Sequence, residues 1–304
     1  MKKAALARSH SLRRQEQWIG YGFILPFTIG FIVFQLAPLL SSVAISLTNL
    51  SFISNLSGVK FVGLQNFISM AGDEQFTGAL WRTIYYCFLF VPGVIAASLF
   101  FAFLINRNLY LRSSIRTAIF MPYVSNMVAI AVVWALLLDV NDGPVNALLR
   151  ALGVENPPLW LLGEKTAIPS IVMIVVWQNI GFFMIVFLAA LQNVPNELYE
   201  AAMIDGAGGF AKFRRITLPL ISPTTFLLTI TAIINSFQNF GPIQVLTKGG
   251  PGAASTTLSV NIYQESFVHY RIGYSTAQAI VMFVMILAIT VIQWRGQKKW
   301  VTYS

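Results

Sequence analysis

Side chains that do chemistry are scarce in this sequence. Its 304 residues include one cysteine, two histidines and eleven acidic residues. Cys87 has no partner for an intrachain disulfide. His10 and His269 read as solvated residues of a tail and an external loop, with no metal-ligand set around either. No Gly-Lys dipeptide occurs, so a phosphate-cradling G-x-x-x-x-G-K-S/T loop is excluded. No G-x-S-x-G context offers a serine nucleophile. The acidic residues avoid the middle of every apolar run, whereas ion- and proton-coupled carriers place ionisable groups at membrane depth. The sequence therefore predicts neither catalysis nor a metal centre, and any energy source must lie in a partner.

What is present is apolar surface. With 56% hydrophobic and 10% charged residues, the composition is that of a membrane protein. Crossing a hydrocarbon core of about 30 Å takes roughly 20 apolar residues as helix, because every backbone N–H and C=O must be satisfied within the segment. Six such runs occur, near Trp18–Leu40, Tyr85–Ile105, Ile119–Leu138, Ile168–Leu191, Leu218–Phe240 and Ala277–Trp294. None has the short alternating pattern of a β-barrel strand, so the predicted class is all-α, an integral membrane protein with six transmembrane helices. Pro26 and Pro38 fall inside the first run, which outlasts a signal-peptide core and predicts an uncleaved helix.

Basic residues set the orientation. With the N-terminus inside, fourteen Lys and Arg fall on the cytoplasmic side and six outside. That bias, with an even number of spans, places both termini in the cytoplasm. The net charge of +9 is thus topological, and no basic cluster interleaved with aromatics points to nucleic acid.

Between the fourth and fifth runs lies a polar, glycine-punctuated loop. Asn196 is a candidate helix cap and Glu197 suits a first turn. Tyr199, Ala202 and Met203 recur at helical spacing, and Gly206 is placed to end the helix in a left-handed turn. A second short helix through Phe210, Phe213 and Ile216 is expected to break or kink at Pro219. Two readings fit: small Ala201 and Ala202 admitting a partner's surface with Met203, Ile204 and Phe210 as an apolar plug, or an interfacial helix held by anionic lipid.

The string Glu200-Ala201-Ala202-Met203-Ile204-Asp205-Gly206-Ala207, ending in Ile216-Thr217-Leu218-Pro219, resembles the EAA loop of binding-protein-dependent ABC importer permeases. The likeness covers roughly Phe61 to Trp294. It includes Arg112, Arg116, Phe120 and Pro122 ahead of the third span, Gly143-Pro144-Val145-Asn146, Trp177 before Gly181-Phe182, and Leu246-Thr247-Lys248-Gly249-Gly250-Pro251. The last pattern is similar to the carbohydrate branch, the first-partner permeases for maltose, multiple sugars and glycerol-3-phosphate. Two departures stand out. Gly241-Pro242 replaces an Asp that many relatives carry after the fifth span, and the external loop from about Ser41 to Leu80 is too short for the extra domain of some maltose-type relatives.

The resemblance implies a type I ABC importer permease fold in a bacterial or archaeal cell (inner) membrane. Its domains are a cytoplasmic basic tail (1–17), an extra transmembrane helix and external loop (18–76), a core permease domain (77–294) with a cytoplasmic coupling loop (194–219), and a cytoplasmic tail (295–304). Within the loop, Glu200, Ala201, Ala202, Met203, Asp205, Gly206, Ala207, Phe210 and Pro219 are the implied ATPase-coupling residues. The implied partners are a second homologous permease forming a heterodimer, two copies of an ATPase subunit holding Mg-ATP, an external solute-binding protein, membrane lipid and a sugar. This chain itself carries no cofactor in that scheme.

A substrate path follows from polar residues stranded in apolar runs. Asn235, Gln238 and Asn239 stand at i, i+3 and i+4 on one face of the fifth, flanked by Phe237, while Trp177, Gln178 and Asn179 form a similar patch on the fourth. Neutral amides pair with sugar hydroxyls; the alternative is helix-to-helix hydrogen bonding. At the level of function the alternatives are a permease for glycerol phosphate, peptide or amino acid, and a membrane scaffold that transports nothing.

Overall fold

A computed structural model describes residue 17, residues 19–52, 58–106 and 111–297. Residues 1–16 of the basic tail, Trp18, Arg107, Lys298 and Lys299 lie outside the described residues. Among the described residues the chain is helical, with one isolated antiparallel bridge between Thr48 and Phe61.

Helices α1 (Ile19–Ser46), α3 (Glu74–Ile105), α7 (Ala167–Gln192) and α13 (Ile272–Gly296) are each long and apolar enough to cross a bilayer. The third and fifth expected spans are not single helices. The third is α4 (Arg112–Val124) and α5 (Met127–Leu137), bent by 98°; the fifth is α9 (Gly209–Leu220) and α10 (Ser222–Gln238), bent by 68°. The first bend has a local cause. Ser125 takes extended backbone, and the Asn126 side chain accepts from Val128 N and Ala129 N, capping a new helix instead of continuing the old one. Shorter helices α2 (Gln65–Met70), α6 (Pro144–Ala151), α8 (Asn196–Ile204), α11 (Gly241–Leu246) and α12 (Leu258–Phe267) connect the spans.

The core forms where α3 lies along α7. On α3, the buried residues Ala79, Thr83, Tyr86, Phe90, Val94, Ser98, Ala102 and Ile105 recur every three or four positions, making one continuous stripe. Small residues let the backbones close up, as membrane helices require when lipid is as apolar as the protein. Ser98 Oγ reaches Ile180 O at 3.3 Å. A Cβ at Gly181 would lie 2.5 Å from Ile119 O, so α4 crosses α7 at van der Waals contact only because that residue is glycine. Helix α3 starts at Glu74, capped by Asp73, whose carboxylate accepts from Gln75 N and Phe76 N. This start lies three residues ahead of the boundary read at 77.

Helix α1 leaves nearly all its apolar surface uncovered; only Ser46 is buried. Its C-terminal end is clipped to the rest of the chain. Asn66 Nδ2 donates to Ser46 O and Thr48 O, both at 2.8 Å, and Gly273 N donates to Leu50 O at 2.9 Å.

The N-terminal ends of α3 and α13 and the C-terminal end of α12 share a charged cluster. Glu265 is fully buried, with Arg271 Nε at 2.6 Å and His269 Nδ1 at 3.0 Å. His269 is exposed, as expected from sequence, but not isolated, because Glu265 stands one helical turn before it. Hydrogen bonding to Glu265 raises the Arg271 pKa above its ordinary value. Tyr274 Oη donates to Asp73 Oδ2 at 2.5 Å. Burial pushes the Asp73 carboxyl upward, but that bond, the two capping N–H groups and nearby Arg271 outweigh it and leave the pKa lowered.

Candidate functional site

The loop between α7 and α9 is built on glycine. Gly206 has φ +75°. Ala207 N donates to Ala202 O at 2.8 Å and Gly206 N to Met203 O at 3.1 Å, closing α8 in a Schellman cap. At the other end Pro195, not Asn196, occupies the cap position, and no side chain caps α8 there. Tyr199 Oη and Thr217 Oγ1 lie 2.8 Å apart and tie α8 to α9. Helical spacing alone assigned Tyr199 no such role, since its partner is 18 residues away.

The kink expected at Pro219 sits two residues later, at Ile221. Pro219 stays inside α9 because the preceding turn, Phe213–Thr217, widens to π geometry and Leu218 N donates to Phe213 O. The chain turns where Ser222 Oγ bonds Pro219 O at 2.6 Å and Pro223 stands in the first turn of α10.

The α8 segment presents Glu200, Ala201, Met203, Asp205 and Gly206 to solvent, while Ala202, Ala207 and Pro219 are half-buried. Ile204 is 87% exposed. An uncovered isoleucine between two carboxylates is a surface suited to a protein partner. Phe210, 76% exposed, is placed differently, lining an apolar groove against α3.

Within the membrane-spanning part, one cavity of about 290 Å³ gathers Gln178 and Asn179 of α7 with Asn235, Gln238 and Asn239 at the end of α10. Phe90, Val175 and Pro242 complete its lining. Asn179 Nδ2 donates to Val175 O at 2.8 Å, and Asn239 Nδ2 donates to Tyr86 Oη. Tyr86 stacks on Phe90 with ring centroids 5.8 Å apart, so α3 backs the cavity with an aromatic pair. Sequence alone singles out neither Tyr86 nor Phe90; both lie on the buried stripe of α3, whose helical periodicity is the signal that could have found them.

Two expected path residues are elsewhere. Trp177, about 100° around α7 from Gln178, packs edge-on against Trp134 at 5.5 Å and lines a separate apolar hollow with Leu89 and Gly93. Phe237 is 2% exposed and turns into the core. At Gly241 a Cβ would sit 3.0 Å from Met127 Sδ, so glycine lets α11 lie close to α5.

Residues 68–297 match the family model for the binding-protein-dependent transport system inner membrane component. The chain belongs to this family. Among similar proteins, the probable ABC transporter permease protein YesP of Bacillus subtilis (strain 168) is 34% identical over 304 residues, covering 99% of this chain and 96% of that one. The trehalose/maltose transport system permease protein MalF of Thermococcus litoralis is 33% identical over 285 residues, covering 92% and 94%. A crystal structure of a bacterial alginate ABC transporter, in complex with an alginate pentasaccharide-bound periplasmic protein, matches with TM-score 0.82. The two are 25% identical, with 94% of this chain and 96% of that chain covered. This permease is accordingly a multi-pass membrane component of an ATP-binding cassette importer, a transport subunit and not an enzyme.

Proposed function

We propose that the permease forms half of a translocation path for a sugar or oligosaccharide. The observation that carries this is the cavity between α7 and α10, where five neutral amides meet and no ionisable side chain joins the lining. Amides donate and accept at once, matching hydroxyl-rich solutes, whereas a phosphorylated or zwitterionic solute calls for a counter-charge. The relative named for trehalose/maltose supports the same solute class, and the matched alginate transporter extends the likeness to oligosaccharides, there of an acidic kind.

Asn235 and Gln238 are exposed despite their position in a membrane helix. Facing lipid, each amide would cost several kcal/mol, so a second permease is the natural cover, completing the path as a heterodimer. Energy enters through α8 and its Schellman turn, which seat in one of the two copies of a partner ATPase holding Mg-ATP, the second permease engaging the other. In this arrangement loop 194–219 and both termini face the cytoplasm, and the solute-binding protein docks outside.

The test is uptake by the complete transporter in proteoliposomes. Replacing Asn235→Leu and Gln238→Leu should cut solute uptake at least about tenfold, as expected for the loss of one to two buried hydrogen bonds. The purified complex should keep its subunit composition. Wild-type uptake would sink the path assignment, and dissociation of the complex would assign the amides to helix pairing instead.

A further inference from the structure

The cytoplasmic end of α3 carries a cavity with the opposite chemistry to the amide site. About 630 Å³ in volume, it is lined by Leu99, Phe100 and Phe103 of α3 and by Gly209, Phe210 and Phe213 of α9, with no polar side chain in its wall. Phe103 and Phe213 meet edge to face at 5.9 Å and form its closed side.

Its depth in the membrane can be measured along α3. Arg82 is the last charged side chain of that helix before the groove. Phe103 lies twenty-one residues further on, about 32 Å at 1.5 Å per residue. That span matches a hydrocarbon core of about 30 Å, so the groove opens where acyl tails give way to headgroups.

The adjacent charge is of one sign. Lys212, Arg214 and Arg215 follow Phe210 on α9, and Arg214, four residues on, shares its side of the helix. Arg214 and Arg215 are exposed, and among the described residues no carboxylate stands within ion-pair distance of any of the three. An apolar slot at tail depth with unpaired cations at phosphate depth has the two-part chemistry of one ligand class.

We infer that the groove between α3 and α9 is a binding site for an anionic phospholipid, one acyl chain lying on Phe100, Phe103 and Phe210 and the phosphate held by Arg214 and Arg215. The inference rests on the proposed cytoplasmic placement of loop 194–219. Because α9 also holds Tyr199 of α8 through Thr217, a lipid in this groove braces the segment that transmits movement from the ATPase.

The complete transporter in nanodiscs provides the test, with Phe100→Trp as reporter and the wild-type signal subtracted. Brominated phosphatidylglycerol should quench the added tryptophan more strongly than phosphatidylcholine with the same brominated chains. Arg214→Gln should lower that preference about fivefold, the effect of one basic residue at a membrane surface. Equal quenching by both lipids would make the groove part of the bulk boundary, and no quenching by either would mean that protein covers it; each result overturns the inference. Nanodiscs carry the anionic lipid in both leaflets, so quenching does not depend on orientation. A failure of the cytoplasmic placement is read separately, by thiol labelling of the loop.

Discussion

Single residues in the loop before α9 are fixed by backbone conformation more than by contacts. Gly206 has open space where a Cβ would stand, yet its φ of +75° lies in the left-handed region. A β-branched side chain there costs roughly 1–2 kcal/mol, and the Schellman cap would reopen to relieve it. Gly206→Val is therefore expected to leave insertion and folding of the spans intact while lowering uptake and solute-stimulated ATPase activity together by at least about tenfold, as 1.4 kcal/mol lost from coupling implies. Normal ATPase stimulation by the variant would place the docking surface elsewhere. The comparison that separates backbone from side chain is Tyr199→Phe. It removes one hydroxyl pair with Thr217, worth about 1 kcal/mol, without altering the turn, and should reduce coupling less than the glycine replacement does.

At the scale of elements, the helix crossings depend on which glycines face backbone. A Cβ added at Gly181 would lie 2.5 and 2.6 Å from Ile119 O and Phe120 Cα, atoms that move only if α4 moves. A Cβ added at Gly93 would lie 3.4 Å from the Val176 side chain, an ordinary contact. Gly181→Ala is accordingly expected to destabilise the protein by about 1–3 kcal/mol through overpacking, and Gly93→Ala by less than about 0.5 kcal/mol. Thermal unfolding of the purified complex in detergent distinguishes the two, and equal melting shifts would refute the crossing geometry. Element positions were largely legible from composition, since apolar length selects membrane helices before packing is known. The bends were not. Pro92 lies inside α3 and Pro122 inside α4 without ending either helix, whereas the chain turns at Ser125 and Ile221. Proline marks a weak point, but side-chain caps and π turns decide where the helix yields. The amide cavity followed from helical periodicity on α10, and the same periodicity explains why neighbouring Trp177 and Phe237 point elsewhere. Contacts such as Tyr274 to Asp73, 201 residues apart, have no local signal at all.

Across the whole molecule, polarity is segregated from one membrane face to the other. One end holds the Glu265–Arg271–His269 cluster and the Asp73–Tyr274 pair, while the opposite end holds the basic α9 and the exposed carboxylates of α8. Between them the spans carry neutral amides, so the orientation, which the positive-inside bias predicts to have α8 and α9 in the cytoplasm, would be locked by the cost of dragging either charged end through hydrocarbon. That orientation is measurable with single cysteines in a Cys87→Ser background. Gly208 has no atom within 4 Å of where its Cβ would be, and Glu155 is exposed in the loop between α6 and α7, so both positions accept cysteine with little strain. In intact cells a membrane-impermeant maleimide should label Glu155→Cys and spare Gly208→Cys; in inverted membrane vesicles the pattern should reverse. Labelling of both from one side would break the six-span count. A complete reversal would put α8 outside, beyond the reach of any cytoplasmic ATPase, and would remove the coupling proposal while leaving the amide cavity untouched.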